Sequence, residues 1–143
     1  MSDPAGWNAG IVEEFRAHEG HVGGPFENVP LVLVHHVGRR SGREFVSTVA
    51  YLADETDPGT VYIFASKGGA PTNPDWYHNL VAAGHATVER GTQSYAVTVT
   101  EVTGPERDAI YARQVERVPG FGGYAERTAG VRTIPVLRLT RAD

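Results

Sequence analysis

Three short segments carry the residue types that hold anions. Gly38-Arg39-Arg40-Ser41-Gly42-Arg43 puts three arginines within five residues, between glycines that let backbone N–H groups approach a ligand. Ser66-Lys67-Gly68-Gly69 adds a hydroxyl and the only lysine in the chain. Asn73-Pro74-Asp75 has the order of cap, N1 proline and acid that opens a helix, and a helix N-terminus attracts negative charge. Ser47 and Thr48 contribute further hydroxyls, and Trp76 and Tyr77 flat aromatic surfaces. The combined chemistry is the binding of a phosphate or polycarboxylate beside a flat ring. A charged hairpin tip followed by an ordinary loop into a helix would use the same residues. The Gly-x-x-x-x-Gly-Lys spacing of a P-loop is absent.

Other chemistries find less support. His35 and His36 are adjacent on a strand, point to opposite faces and so do not suit one metal ion; no metal site is expected. His78 falls on a helix, where half-burial explains it as well as ligand contact does. Glu13, Glu14 and Glu101 read as solvated or capping acids rather than a paired-carboxylate site. There is no Gly-x-Ser-x-Gly elbow and no cysteine, so a serine-hydrolase motif, thiolate metal sites and disulfides are absent. The 143 residues carry twelve arginines against one lysine, yet a net charge of −4. A general nucleic-acid binder should be more basic, so the arginines point to a local anion site. With 41% hydrophobic and 21% charged residues the composition is that of one globular domain spanning 1–143. The longest apolar run, Val29 to Val34, is too short to span a bilayer, and no secretion signal is visible, so a cytoplasmic protein is expected.

These residues need elements to hold them. Periodicity predicts a helix capped by Asn8 and running to about His18, then strands from Leu31 to His36, Arg43 to Tyr51 and Val61 to Ser66. The first two form a hairpin around the arginine loop. In the second strand Phe45, Val49 and Tyr51 share one face, Val46 and Ala50 the other. A helix opens at Asn73-Pro74-Asp75 and stops near Gly84. A hairpin of His85 to Glu89 with Ser94 to Val102 follows, then a helix from Gly104 carrying Tyr111, Val115 and Val118 on one face. Val118 to Gly123 reads as a glycine-rich break whose Phe121 and Tyr124 could cover a pocket or simply end the helix. A last strand spans Thr133 to Leu139. Tight hairpins make the strands antiparallel, so the expected fold is α+β, a six-stranded antiparallel split β-barrel with helices on its rim.

The segments Val37 to Arg43, Ala65 to Ala70, Asn73 to Leu80, Val118 to Phe121 with Tyr124, and Thr133 to Val136 resemble, in order and spacing, the deazaflavin-dependent nitroreductase family. These are split-β-barrel oxidoreductases using coenzyme F420, an 8-hydroxy-5-deazaflavin. The resemblance runs over about residues 7 to 139. It implies that Arg39, Arg40 and Ser41 hold the phosphate and glutamate tail of the cofactor. It implies that Phe45, Val46, Ser47, Thr48, Val49 and Ala50, with Phe64, Ala65, Ser66 and Lys67, line its groove. Asp75, Trp76, Tyr77, His78, Asn79 and Phe121 complete the implied cofactor set. Ser66 and Tyr124 are the candidate catalytic hydroxyls, donating a hydrogen bond or proton to the reduced acceptor.

The chain departs from the family pattern in places. Phe45 and Thr48 stand where members commonly carry arginine and proline. Ala50, Val118 and Phe121 stand where prodrug-reducing members carry tyrosines. The implied function is hydride transfer from reduced deazaflavin to a small electron-poor acceptor: a quinone, nitroaromatic or enone. A non-catalytic deazaflavin carrier and an FMN-dependent split-barrel flavoprotein are the alternatives. No nucleic-acid partner is expected. Oligomeric state and peripheral membrane contact stay open.

Overall fold

A computed structural model describes residues 4–26 and 29–142. In chain order the elements are α1 (Pro4–Ala17), β1 (Leu31–Val37), β2 (Glu44–Ala53), β3 (Thr60–Phe64), α2 (Asp75–Ala83), β4 (His85–Arg90), β5 (Gln93–Val102), α3 (Gly104–Arg117), α4 (Gly120–Thr128) and β6 (Val136–Arg141). Short 3-10 turns occupy Gly24–Phe26 and Lys67–Gly69. Every strand pairing is antiparallel, and the order β1-β2-β3-β6-β5-β4 closes on itself as a barrel. The fold is the α+β split barrel that the strand pattern and resemblance predict.

The two-residue period of each strand sorts side chains into two environments. Val32, Val34, Val49, Val61, Ile63, Val88, Val97, Leu137 and Leu139 fill the interior. The intervening residues face outward under helices. Leu31 and Leu33 meet Ile11 and Phe15 of α1, while Tyr62, Phe64 and Val136 meet Ile110, Tyr111 and Phe121 of α3 and α4. Strand β3 is buried on both faces, which explains its continuous apolar run. Leu80 of α2 belongs to the interior cluster, so α2 lies across one mouth of the barrel. Gly84, at φ 77°, ends that helix in the left-handed conformation.

Three local expectations are corrected. Asn8 lies inside α1, which begins at Pro4, and does not cap it. The residue at the N-terminal boundary of α2 is Pro74, and the Asn73 side chain instead accepts a hydrogen bond from Arg132 Nη1 at 2.7 Å. The segment read as a glycine-rich break forms α4. Its glycines each cost about 1 kcal/mol in helix propensity. Burial of Phe121 and Thr128, seven residues apart on one face, outweighs that cost. The Thr128 hydroxyl also bonds back to the carbonyls of Tyr124 and Ala125. Phe121 is therefore core, not the tip of a mobile cover.

Candidate functional site

A groove of about 700 Å³ opens at the barrel mouth between the β1–β2 hairpin and α2. Gly38, Arg39, Arg40 and Ser41 come from the hairpin tip; Glu44 to Ser47 from the start of β2; Asp75, Trp76 and Asn79 from one side of α2; and His36 from the floor. The hairpin is closed by Gly38 N–H donating to Arg43 O (2.8 Å) and Gly42 N–H to Gly38 O (2.9 Å). Ser41 Oγ accepts from Arg43 N–H at 3.2 Å. A Cβ on Gly38 would lie 2.5 Å from Ser41 Oγ and 3.2 Å from Phe45, so this turn admits only glycine without rearrangement. Arg39 and Arg40 are exposed and carry no ion pair among the described residues. Phe45, itself 41% exposed, stacks on His36 (5.6 Å, 24°) with the Arg43 guanidinium 5.7 Å from its ring centre.

The floor is a chain of hydrogen bonds. Arg39 N–H donates to Asn79 Oδ1 at 3.0 Å, Asn79 Nδ2 meets His36 Nδ1 at 3.0 Å, and His36 Nε2 meets Ser47 Oγ at 2.9 Å. His36 and Asn79 are buried. Burial pushes the His36 pKa below its ordinary value, His35 pushes the same way, and Asp75 opposes both. His36 was not among the residues expected at the site. Its partner Asn79 lies 43 positions away, and no sequence signal links the two.

A second group gathers around the 3-10 turn Lys67–Gly69, which packs against α4. Arg132 ties this turn down. Its Nη1 donates to Ala65 O (3.0 Å) and Asn73 Oδ1, its Nη2 to Ser66 O (2.9 Å) and its Nε to Ala70 O (3.0 Å). A Cβ on Gly69 would sit 3.0 Å from Arg127 Cδ and 3.4 Å from Tyr124 Cα. Lys67 adopts φ 48°, in the left-handed region, and its Nζ donates to Thr72 Oγ1 at 3.3 Å. Tyr124 packs edge-on to Phe121 at 5.2 Å. Tyr124 and Ala50 both border the cluster beneath α3 and α4. Thr48 Oγ1, on the same outward face of β2 as Ala50, is buried without a hydrogen-bond partner.

The implied cofactor residues thus separate. Arg39, Arg40, Ser41, Phe45, Val46, Ser47, Asp75, Trp76 and Asn79 converge on the groove. Ser66, Lys67, Tyr124, Thr48 and Ala50 do not line it. Val49 faces the barrel interior, and Phe64, Ala65 and Phe121 are buried. Tyr77 turns toward β5, where its hydroxyl donates to Glu101 Oε1 at 2.8 Å; burial and then Glu101 push its pKa up to about 12. His78 packs edge-on to Tyr77 at 5.1 Å. Among the described residues no group of three or more His, Asp or Glu could hold a metal ion, and no helix is long and apolar enough to cross a membrane.

The family described as F420H(2)-dependent quinone reductase matches residues 8–141. An F420H(2)-dependent quinone reductase of Mycobacterium tuberculosis is 33% identical over 134 residues, covering 89% of this chain and 85% of that protein. Among solved structures, an F420-H2 dependent reductase is 31% identical with a TM-score of 0.67, over 77% of this chain and 93% of that one. Another, described as a domain-swapped dimer, is 28% identical with a TM-score of 0.69, over 96% and 99%. The split barrel, the arginine-lined groove at its mouth and these matches lead to one conclusion: the chain belongs to the F420H2-dependent quinone reductase family of oxidoreductases.

Proposed function

We propose that this protein binds coenzyme F420 and reduces a small quinone with it. The observation that carries this reading is the groove itself, where two arginines without ion-pair partners meet the Ser47 hydroxyl and the Phe45 and Trp76 rings. That donor set fits a long anionic tail running from a flat ring.

When bound, the reduced deazaflavin supplies the hydride. The residues of the chain do the rest. Arg39 and Arg40 neutralise the tail, and Gly38 lets backbone approach it. Ser66 and Tyr124, beside the turn that Arg132 anchors, would offer hydroxyl protons to the acceptor oxygen as it gains charge. Such stabilisation of developing charge is worth about 10²–10³ in rate for a well-placed donor. Ala50 and Phe121, standing in place of tyrosines, leave fewer such donors. Flat quinones, oriented by stacking, need them less than bulky nitro compounds do.

A side-by-side titration of the purified protein with F420 and FMN tests the cofactor. Tighter F420 binding is expected, and equal or tighter FMN binding would reverse the assignment. Steady-state assays with reduced F420 then compare a naphthoquinone with a bicyclic nitroimidazole. The quinone should give the higher kcat/KM.

A further inference from the structure

We propose that His36 is a positioning residue: held by Asn79 in its Nε2–H form, it fixes Ser47 so that the serine hydroxyl donates a hydrogen bond to an anionic oxygen of the ligand in the groove. The inference rests on the cofactor reading above for the identity of the ligand, but not for the state of the imidazole.

The argument is one of donors and acceptors. Arg39 N–H can only donate, so the Asn79 side-chain atom 3.0 Å from it must be the oxygen. The Asn79 amide nitrogen then faces His36 Nδ1 at 3.0 Å and can only donate to it. Nδ1 must therefore be unprotonated. A neutral imidazole carries one proton, so it sits on Nε2 and is donated to Ser47 Oγ at 2.9 Å. Flipping Asn79 or protonating Nδ1 would set two donors against each other in a buried place. The lowered proton affinity of His36 agrees with this, since burial is its leading cause.

Ser47 Oγ thus accepts from His36 through one lone pair, and its own proton is free. No acceptor for that proton is found among the described residues, and Ser47 lines the groove beside Arg39 and Arg40. A hydroxyl placed so is a neutral donor next to two cations, suited to an oxygen of a phosphate or carboxylate. The same chain of bonds begins at the backbone of Arg39, so His36 and Asn79 set the arginine loop and the serine as one unit.

The imidazole is read first, by 15N NMR of the ligand-free protein. His36 should show a protonated Nε2 and a bare Nδ1 at neutral pH; an Nδ1–H tautomer or an imidazolium overturns the proposal. Binding is then titrated with F420, FMN and inorganic pyrophosphate for the wild type, Ser47→Ala, His36→Leu, His36→Gln and the Ser47→Ala/His36→Leu pair. Ser47→Ala should weaken the preferred ligand roughly 10- to 100-fold, the scale of a hydrogen bond to a charged acceptor. His36→Leu should match it, His36→Gln should recover most of the loss, and the pair should be no worse than either single change. Multiplicative losses, or a lower melting temperature in His36→Leu with affinity intact, would leave His36 a packing residue only. If His36→Leu does not fold, Ser47→Ala and the NMR spectrum still decide. Preference for FMN would overturn the cofactor assignment alone, because the Ser47 effect would then be read on FMN. Unchanged affinity of Ser47→Ala for every probe that binds, or binding of none of the three probes by the wild type, would overturn this inference.

Discussion

Lys67 holds a left-handed φ of 48° without being glycine. That conformation costs a side-chain-bearing residue about 1–2 kcal/mol, and such strain concentrates where a side chain is aimed for a purpose. Lys67→Gly should therefore leave thermal stability unchanged or slightly raised while weakening F420 binding about tenfold through lost charge; melting and titration on one preparation compare the two. Arg132 makes the opposite trade. It meets four acceptors on the segment from Ala65 to Asn73, a fork that a lysine ammonium cannot reproduce. Arg132→Lys should cost about 1–3 kcal/mol of stability in denaturant titration and weaken cofactor binding as the Ser66–Lys67 turn loosens. The arginine loop was legible in the sequence because its residues are consecutive and act locally. Arg132 and His36 were not, because their partners come from 59 to 67 and from 43 positions away respectively.

Elements were legible where their period was expressed on one chain segment. The alternation along β2 puts Val49 and Tyr51 on one face and Val46 and Ala50 on the other, and the structure turns the first pair to the barrel interior and the second outward. It failed at α4, where three glycines are held in a helix by contacts that local pattern does not contain. The β1–β2 hairpin is set by the absence of a Cβ at Gly38. Gly38→Ala must move the exposed Ser41 or Phe45 side chain and should cost less than about 1 kcal/mol of stability while weakening F420 binding, by the same two measurements. Helix α1 is tied to the barrel by Arg16, whose Nε and Nη2 donate to Glu89 at 3.0 and 2.6 Å, with His35 Nε2 at 2.6 Å from the same carboxylate. The Arg16 hydrogen bond is the main reason that the Glu89 pKa falls to about 2, His35 assisting and burial opposing. The folded value lies below the ordinary one of 4.5, so the stabilisation is complete above about pH 4.5 and disappears as pH falls toward 2. Melting curves of wild type and Glu89→Gln should differ at neutral pH and converge on acidification; a constant gap would mean that the charge is not what holds α1.

At the scale of the whole molecule, the barrel holds two groups apart: the groove lined by Arg39 and Arg40 at its mouth, and the Lys67–Gly69 turn packed against α4. Strand β6 completes the ring by sitting between β3 and β5, with Val136 opposite Phe64 on one side and Val102 on the other. It is also synthesised after both of its neighbours. Until it arrives, β3 and β5 present unpaired edges, and β3 is apolar on both faces. A nascent or truncated chain lacking β6 is therefore a template for edge-to-edge aggregation. Ring closure also joins strands far apart in sequence, β3 with β6 and β1 with β4, which places folding toward the slow, high-contact-order end for a domain of this size. Production of this protein should be limited by the time between making β5 and docking β6. Slower synthesis at low temperature, or a chaperone that shields exposed strand edges, should raise the soluble yield more than any change at the groove.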